Sequence, residues 1–243
     1  MSPEISSSRN TSPHLIVALD FNHKELCLNL VKQLDPNHCR VKIGKEMFTL
    51  FGPSLVEEIQ KCGFEVFLDL KFHDIPNTVA KAVTAASHLG VWMVNVHASG
   101  GSRMMVAARE SLDKSSHRPL LIGVTVLTSM TNGELKSVGV NRSVDEQVIA
   151  LADLVLEAQL DGIVCSAQEV SAIKEATKHQ LLCVTPGIRP TGSAVNDQRR
   201  TLSPREAIIA GSDYLVVGRP ITQAENPVKV CEAITQQILE AKK

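Results

Sequence analysis

Eight short apolar segments, separated by stretches with helical periodicity, predict a single-domain (β/α)8 TIM barrel. The segments are near-continuously apolar rather than alternating, which is typical of parallel strands covered on both faces. The chain of 243 residues also has a suitable length for one such barrel. A doubly wound open sheet is the alternative, but no GxGxxG motif follows the first segment, which counts against it. The eight segments cover residues 15–20, 40–44, 65–72, 92–98, 120–128, 162–167, 181–189 and 214–221.

Capping residues mark helix starts between the predicted strands. Ser143 and Glu146 form a capping box ahead of an apolar helical stripe in residues 144–160. A second capping box lies at residues 203–206, and Asn-Pro at residues 226–227 begins the last helix. Each cap stabilises a helix by about 1 kcal/mol, so these positions predict helix starts where the barrel requires them.

No linker or compositional break divides the chain. We therefore expect one catalytic barrel over residues 14–243, preceded by a disordered, Ser-rich extension at residues 1–13. Residues 189–202 are almost wholly polar and follow the seventh predicted strand. A long polar loop at that end of a barrel predicts an active-site lid, with an ordinary solvated loop as the alternative.

The composition argues against several classes of function. A net charge of −1 and an aromatic content of 3% disfavour a nucleic-acid-binding or membrane-binding surface. The six cysteines are scattered without a CxxC pair, which predicts buried thiols in a reducing compartment. The eight histidines form no HExxH motif that would indicate a metal site. The sequence has neither a secretory signal nor the roughly 20 apolar residues of a membrane span, so we expect a cytoplasmic protein.

Charged residues cluster at the C-terminal ends of the first three predicted strands. Asp20 ends the first strand, and Lys42 lies in the second. Asp69 and Lys71 lie in the third strand, two residues apart on one face, and Asp74 comes just after it. In a barrel, charges at this end face the active site. Any one of them could instead belong to a surface ion pair, but together they predict a catalytic charge array.

The last two predicted strands end in residues suited to binding a phosphate. Gly187 and Arg189 follow the seventh strand, and Gly218 and Arg219 follow the eighth. Phosphate sites in barrels commonly lie at these two loops, where glycine allows close backbone approach and arginine offers a two-pronged donor. The alternative for Arg219 is an ordinary surface residue.

The run DLKFHDIPNT, from Asp69 to Thr78, resembles the signature of the orotidine 5'-monophosphate decarboxylase family. Further segments resemble the family in the same order, from about residue 14 to the end of the chain. They are residues 19–20, 41–44, 127–130, 185–189 and 217–221. The chain has no phosphoribosyltransferase half, so it resembles the free-standing, monofunctional form of the enzyme.

The resemblance implies a carboxy-lyase that converts orotidine 5'-monophosphate to uridine 5'-monophosphate and CO2 in pyrimidine biosynthesis, without a metal or organic cofactor. Lys71 would be the proton donor. Asp69 would lie against the departing carboxylate; whether it acts by repulsion or by holding Lys71 is left open. Asp20 and Lys42 would bind the ribose hydroxyls, and Lys42 would also hold the charge array.

The resemblance also implies a homodimer with two shared sites, because Asp74, Ile75 and Thr78 would complete the neighbouring subunit's site. Pro76 would take the chain out of the strand before Asn77 caps the next helix. The remaining substrate contacts that the family implies are Thr128 and Ser129 at the pyrimidine edge, Gln198 between base and phosphate, Arg189, Gly218 and Arg219 at the phosphate, and Pro186.

Two other functions remain open. A magnesium-dependent sugar-phosphate decarboxylase, similar to 3-keto-L-gulonate 6-phosphate decarboxylase, shares the Asp-x-Lys-x-x-Asp pattern. Its second strand carries a carboxylate that helps to bind the metal, whereas this chain has Lys42 there. The other alternative is a non-catalytic barrel that binds a phosphorylated ligand, because a fold alone does not establish catalysis.

Overall fold

The computed structural model describes residues 13–190 and 201–242, in which eight parallel strands close into a barrel. The strands are β1 (Leu15–Leu19), β2 (Arg40–Gly44), β3 (Val66–Phe72), β4 (Met93–His97), β5 (Leu120–Val124), β6 (Gly162–Val164), β7 (Leu182–Thr185) and β8 (Tyr214–Val217). Each strand pairs with the next along the chain, and β1 pairs with β8 to close the ring. The predicted single-domain (β/α)8 barrel is confirmed, and the open-sheet alternative is wrong.

Helices connect the strands and surround the barrel. Those in the described part of the chain are α1 (Lys24–Val31), α2 (Lys45–Lys61), α3 (Pro76–His88), α4 (Ser102–Asp113), α5 (Asn132–Ser137), α6 (Val144–Glu157), α7 (Val170–Ala176), α8 (Pro204–Ile209), α9 (Arg219–Thr222) and α10 (Pro227–Ala241). The predicted caps at Ser143, Ser203 and Asn226 are confirmed. The predicted cap at Asn77 is wrong, because α3 already begins at Pro76, whose fixed φ suits the first helical position.

Apolar side chains fill the interior of the barrel, which is a packed core rather than a pore. The buried residues of this inner cluster are Ile16, Ala18, Phe67, Met93, Ile122, Val184 and Val216. A larger apolar layer lies between the strands and the helices. Side chains alternate along a strand, so Asp69 and Asn95, two residues beyond Phe67 and Met93, face the same interior nearer its C-terminal end. The core thus determines which side chains can meet at the mouth of the barrel.

Arg40 anchors the opposite, N-terminal end of the barrel. Its guanidinium lies 4.0 Å from the ring centre of Trp92 and 2.6 Å from the carboxylate of Glu65. The two described ends of the chain also meet at this end, where Lys242 Nζ lies 2.7 Å from His14 Nε2. A stacked cation with a carboxylate partner is a stable arrangement for a nearly buried arginine.

Two carboxylates tie further cations to the starts of strands at this end. Asp161 binds Arg109 Nη1 at 3.0 Å and accepts the backbone N–H of Leu121, near the start of β5, at 2.7 Å. Asp213 binds Lys174 Nζ at 2.7 Å and accepts a backbone N–H near the start of β7 in the same way. Buried cations need such partners, so these contacts stabilise the fold at the end that lies away from the mouth.

All six cysteines are free thiols, and five of them are buried, as the sequence predicted. Within residues 13–190 and 201–242, no helix is long and apolar enough to cross a membrane. The predicted extension at residues 1–13 lies outside the described residues except for Pro13, whose carbonyl accepts a hydrogen bond from Arg40. Most of the predicted lid, residues 191–200, also lies outside them.

Candidate active site

A cavity of about 300 Å³ opens at the C-terminal end of the barrel, between the ends of strands from both halves of the fold. Nine of the predicted site residues line it, namely Asp20, Lys42, Asp69, Lys71, Thr128, Pro186, Arg189, Gly218 and Arg219. These residues come from β1, β2, β3 and the loops after β5, β7 and β8. The fold therefore brings together most of the residues that the sequence placed at the mouth of the barrel.

The centre of the cavity is an ion triad around Asp69. Lys71 Nζ lies 2.6 Å from Asp69 Oδ1, and Lys42 Nζ lies 3.2 Å from Oδ2, so each carboxylate oxygen has its own ammonium partner. Burial raises the pKa of Asp69, but the charges of Lys42 and Lys71 and the hydrogen bonds to the carboxylate outweigh it and lower this pKa to about 2. Asp69 is therefore ionised throughout the physiological pH range, as the predicted array of alternating charges requires.

Lys71 has an unusual backbone conformation, which arises from a bulge in β3. Leu68 pairs with Val94 and Phe72 pairs with Val96, so three residues of β3 stand opposite one residue of β4. Lys71 has a φ of 51°, a left-handed value that costs a residue with a side chain about 1 kcal/mol. The bulge changes the direction of the chain at the point where the Lys71 side chain enters the cavity.

Asn95, which the sequence reading missed, fills the gap opposite the bulge. Its Oδ1 accepts the backbone N–H of Lys71 at 2.8 Å, and its Nδ2 donates to Asp69 Oδ1 at 2.7 Å. The side chain is fully buried on β4. The available signal was a single amide in the apolar run WMVNVHA, two residues beyond Met93 and thus on the inward-facing side.

The Asp20 carboxylate lies beside the triad between two glycines. A Cβ atom placed on Gly44 would lie 3.4 Å from Lys42 Nζ and 3.8 Å from Asp20 Oδ1. A Cβ atom on Gly218 would lie 3.6 Å from Asp20 Oδ2. Glycine at both positions leaves space next to the Asp20 and Lys42 side chains, where a ligand could make hydrogen bonds to both.

Two arginines give the other end of the cavity a positive charge. Arg189 follows β7, and Arg219 begins α9 directly after β8. Burial lowers the pKa of Arg189, and the neighbouring charge of Arg219 lowers it further. Arginine side chains carry a positive charge at physiological pH. Two close positive charges beside the small residues Gly187 and Gly218 form a suitable site for a dianion.

The wall between these two charged ends is mainly apolar. Its apolar members are Ala18, Phe67, Val124, Val126, Leu127, Val164 and Val216, none of which was predicted as a site residue. Thr128 supplies a hydroxyl to this cavity, whereas Ser129 lines an adjoining cavity of about 400 Å³ that also contains Thr128. An apolar wall with a hydroxyl from Thr128 suits a planar ring with polar substituents.

A histidine pair borders the triad on the β4 side. The rings of His73 and His97 lie with their centres 5.5 Å apart. Burial lowers the pKa of His97, and the charges of His73, Lys45 and Lys71 lower it further, to about 4. His97 is therefore neutral near pH 7 and adds no third positive charge beside Asp69.

Besides Ser129, four further predicted site residues are absent from the cavity lining in the described part of this single chain. Asp74, Ile75 and Thr78 are exposed around the start of α3, and Ile75 is 67% exposed. Asp74 Oδ1 accepts the backbone N–H of Ile75 at 2.6 Å, and no ion pair joins Asp74 to Lys71 among the described residues. Gln198, the fourth, lies outside the described residues.

The sequence matches the model of the orotidine 5'-phosphate decarboxylase / HUMPS family over residues 13–234. The chain belongs to this family. A relative from Saccharophagus degradans, named orotidine 5'-phosphate decarboxylase, is 58% identical over 229 residues, which are 94% of this chain and 96% of the relative. A relative of the same name from Vibrio cholerae is 57% identical over 228 residues, which are 93% of this chain and 99% of the relative.

A solved structure of the same family supports the architecture. The crystal structure of orotidine 5'-phosphate decarboxylase from Lactobacillus acidophilus superimposes with a TM-score of 0.83 at 36% identity. The alignment covers 94% of this chain and 99% of that protein. The family membership suggested by the motif DLKFHDIPNT is therefore confirmed over nearly the whole chain.

Replacing Asp69 with asparagine should flatten the pH dependence of the free energy of unfolding at acid pH. The pKa of Asp69 is about 2 in the folded chain, against 3.8 for an unperturbed carboxyl. The unfolded chain therefore takes up this proton first, and stability is lost as the pH falls from about 4 through about 2. The loss due to Asp69 is about 2 kcal/mol and can be measured by denaturant titration of wild type and Asp69→Asn over this range.

The matched control is Asp153→Asn, which changes an exposed carboxylate on α6 in the same way. Its unfolding free energy should follow the wild-type pH profile. An Asp69→Asn profile that is parallel to the wild-type one would contradict the ionised triad.

Proposed function

We propose that this chain decarboxylates orotidine 5'-monophosphate to uridine 5'-monophosphate and CO2. The observation that carries the proposal is the Lys42–Asp69–Lys71 triad at one end of a cavity whose other end holds Arg189 and Arg219. The substrate carries a carboxylate on its ring and a phosphate on its ribose. The two cationic ends match these two anionic groups, and the apolar wall between them matches the ring.

Lys71 is the proton donor in this proposal. When the bond between C6 and the carboxylate breaks, its electron pair stays on C6 of the pyrimidine and CO2 leaves. The Lys71 ammonium stabilises that developing charge and then transfers a proton to C6. Solvent returns a proton to the amine after product release, so that the reaction needs no oxidant or reductant.

Asp69 holds the ammonium groups in place and lies where the substrate carboxylate must enter. Its low pKa keeps it charged, so a second carboxylate beside it is repelled until CO2 is lost. The 2.6 Å contact with Lys71 supports the holding role directly. Both roles place the negative charge of Asp69 on the side from which CO2 departs.

Groups remote from the reacting carbon supply binding energy. We assign the phosphate to Arg189, Arg219 and the backbone at Gly218, and the ribose hydroxyls to Asp20 and Lys42. The further proposed contacts are Pro186 at the cavity wall, Thr128 and Ser129 at the pyrimidine edge, and Gln198, which stays a prediction. Binding at the phosphate positions the ring against the triad, so its energy can appear in turnover as well as in affinity.

The triad also bears on the two alternative functions. A magnesium-dependent sugar-phosphate decarboxylase needs carboxylate oxygens that are open to the cation. Here Lys71 takes one oxygen of Asp69 and Lys42 takes the other. A non-catalytic binder of phosphorylated ligands has no need for a buried, oppositely charged triad in its pocket.

We further propose a homodimer in which Asp74 completes the partner subunit's site. Asp74, Ile75 and Thr78 form an exposed patch where the chain leaves β3, and the large exposed fraction of Ile75 suits a protein interface. Asp74 follows Lys71 by only three residues but makes no ion pair with it in the described chain. A cytoplasmic location is also part of the proposal, in keeping with the six free thiols.

Purified protein should convert orotidine 5'-monophosphate to the uridine nucleotide with or without a chelator, as followed by pyrimidine absorbance. Lys71→Ala should lower kcat by at least about 1,000-fold, because it removes both charge stabilisation and the proton donor. Binding of uridine 5'-monophosphate should change by less than about tenfold. The control Lys61→Ala, on the exposed surface of α2, should behave as wild type. Turnover that requires magnesium would instead indicate the sugar-phosphate activity.

Arg219→Ala should raise KM by roughly 10- to 100-fold, because a charged hydrogen bond to phosphate is worth about 1.5–3 kcal/mol. It should also lower kcat, and free phosphite dianion should partly restore turnover of a substrate that lacks its phosphate. Arg205→Ala, an exposed arginine on α8, is the control. If Arg219→Ala leaves kcat and KM unchanged, the phosphate binds elsewhere.

Lys71→Ala and Asp74→Ala subunits should each be nearly inactive alone and regain activity when mixed. A heterodimer has one intact site and one doubly damaged site, so random equal mixing should give about a quarter of wild-type activity. The control mixes Lys71→Ala with Asp69→Ala, which damage the same subunit's half of each site and should give no recovery. If mass spectrometry verifies subunit exchange and no activity returns in the first mixture, Asp74 acts within its own subunit.

A further inference from the structure

Asn95 lies in the inner barrel layer and contacts both the Asp69 side chain and the Lys71 backbone. Its amide is fully buried on β4, opposite the bulge in β3. It donates from Nδ2 to Asp69 Oδ1 at 2.7 Å and accepts at Oδ1 from the Lys71 N–H at 2.8 Å. A buried amide that is paired at both ends in this way has a single preferred orientation.

The bulge explains why Lys71 needs this partner. Three residues of β3 face one residue of β4, so the regular strand ladder cannot pair every backbone group in this stretch. The Asn95 carbonyl oxygen gives the Lys71 N–H the acceptor that the interrupted ladder does not supply. A lysine keeps a left-handed backbone conformation only where its surroundings stabilise it. The hydrogen bond to Asn95 is one of these stabilising contacts.

The other end of the amide acts on the carboxylate. Asp69 Oδ1 receives both the Lys71 ammonium, at 2.6 Å, and the Asn95 amide. Lys42 binds the second oxygen, so the Asp69 carboxylate has two donors at Oδ1 and one at Oδ2. A carboxylate held by three donors cannot rotate about its last bond without breaking at least one of them.

We propose that Asn95 is a positioning residue, whose amide fixes the Asp69 carboxylate and the Lys71 backbone in one mutual geometry. The asparagine amide offers both the donor and the acceptor that these two partners require. An ionised aspartate at this position would have no donor for Asp69, and an alanine would leave both partners unpaired. The inference rests on the proposed decarboxylation, in which Lys71 must reach C6 while Asp69 stays beside it.

Asn95→Asp keeps an oxygen that can accept from the Lys71 N–H but removes the amide donor to Asp69. At neutral pH the variant should lower kcat by about 100-fold, because the new carboxylate repels Asp69 and displaces the Lys71 ammonium. KM and the affinity for uridine 5'-monophosphate should stay within about threefold of wild type, because the proposed phosphate contacts are remote from Asn95. The charged or titratable groups near this position are Asp69 and Lys71 on β3, Lys42 on β2 beyond Asp69, and the His73–His97 pair beside the triad.

The pH profile of kcat distinguishes positioning from simple structural support. The negative charge of Asp69 favours the protonated form of the new carboxyl, and that form can again donate a hydrogen bond. The kcat of Asn95→Asp should therefore rise toward wild type as the pH is lowered, and the ratio of wild-type to variant kcat should shrink. Asn95→Ala has no group to protonate, so its kcat should stay low at every pH.

Thr177→Val is the matched control for loss of a buried hydrogen bond. Thr177 is fully buried at the C-terminal end of α7, away from the triad, and donates to the Ile173 carbonyl at 2.8 Å. It should lower the unfolding temperature and leave kcat unchanged. If Asn95→Asp does not fold, Asn95→Ala, which introduces no charge, still tests the predicted fall in kcat at constant KM.

The outcomes separate this inference from the proposed function. Wild-type protein without decarboxylase activity would overturn the function itself. Active wild type with unchanged kcat in Asn95→Ala, or a fall in kcat no larger than in Thr177→Val, would overturn the positioning role alone. A selective fall in kcat, with recovery of Asn95→Asp at lower pH, supports it.

Discussion

One carboxylate, shared between two lysines and an amide, sets the requirements for the rest of the structure. The Asp69 side chain is only 12% exposed, in a place where an isolated charge would be strongly disfavoured. Its ionisation depends on Lys42 from β2, Lys71 from β3 and Asn95 from β4 arriving together. Those three strands are neighbours in the ring, and the closed barrel holds them in one register. The chemistry of the site therefore depends on strand pairing as much as on the residues themselves.

The two ends of the barrel place charge to different effect. At the N-terminal end, Arg109 and Lys174 pair with carboxylates that also accept backbone N–H groups of strands, and Arg40 pairs with Glu65 and stacks on Trp92. At the C-terminal end, Lys71 has a left-handed backbone conformation that costs stability, and two arginines lie close together. The apolar layers lie between the two ends of the barrel. They separate the charged cavity at the C-terminal end from the ion pairs at the N-terminal end.

Much of this arrangement could be predicted from the sequence. Continuous apolar runs identified the parallel strands, and the polarity of the barrel placed Asp69, Lys71 and Lys42 at one end. Both signals are local, since side-chain alternation and strand ends can be recognised from a few neighbouring residues. The resemblance of the DLKFHDIPNT run to a known family added the residue roles, which neither periodicity nor composition contains.

The parts that were missed depend on contacts across the fold. Asn95 was overlooked because a bulge cannot be recognised from one strand alone; it appears only when β3 and β4 are paired. The apolar cavity wall could not be distinguished from ordinary core, because Val124 or Val216 has the same pattern in either role. The start of α3 was placed two residues too late, with Asn77 as its cap instead of Ile75, because Pro76 itself can occupy the first helical position. The role of Asp74 is absent from local sequence patterns, because its proposed site lies on a second copy of the chain.

The contact between His14 and Lys242 bears on how the chain connectivity of the barrel can be changed. Because β8 pairs with β1 as the other neighbours pair with each other, the ring itself has no privileged starting strand. The two described ends of the chain lie at the N-terminal end of the barrel, away from the cavity. There Lys242 Nζ is 2.7 Å from His14 Nε2. A peptide that joins Lys242 to His14, with new chain ends opened in another loop at the N-terminal end of the barrel, would give a circularly permuted barrel. Its cavity at the C-terminal end would be unaltered.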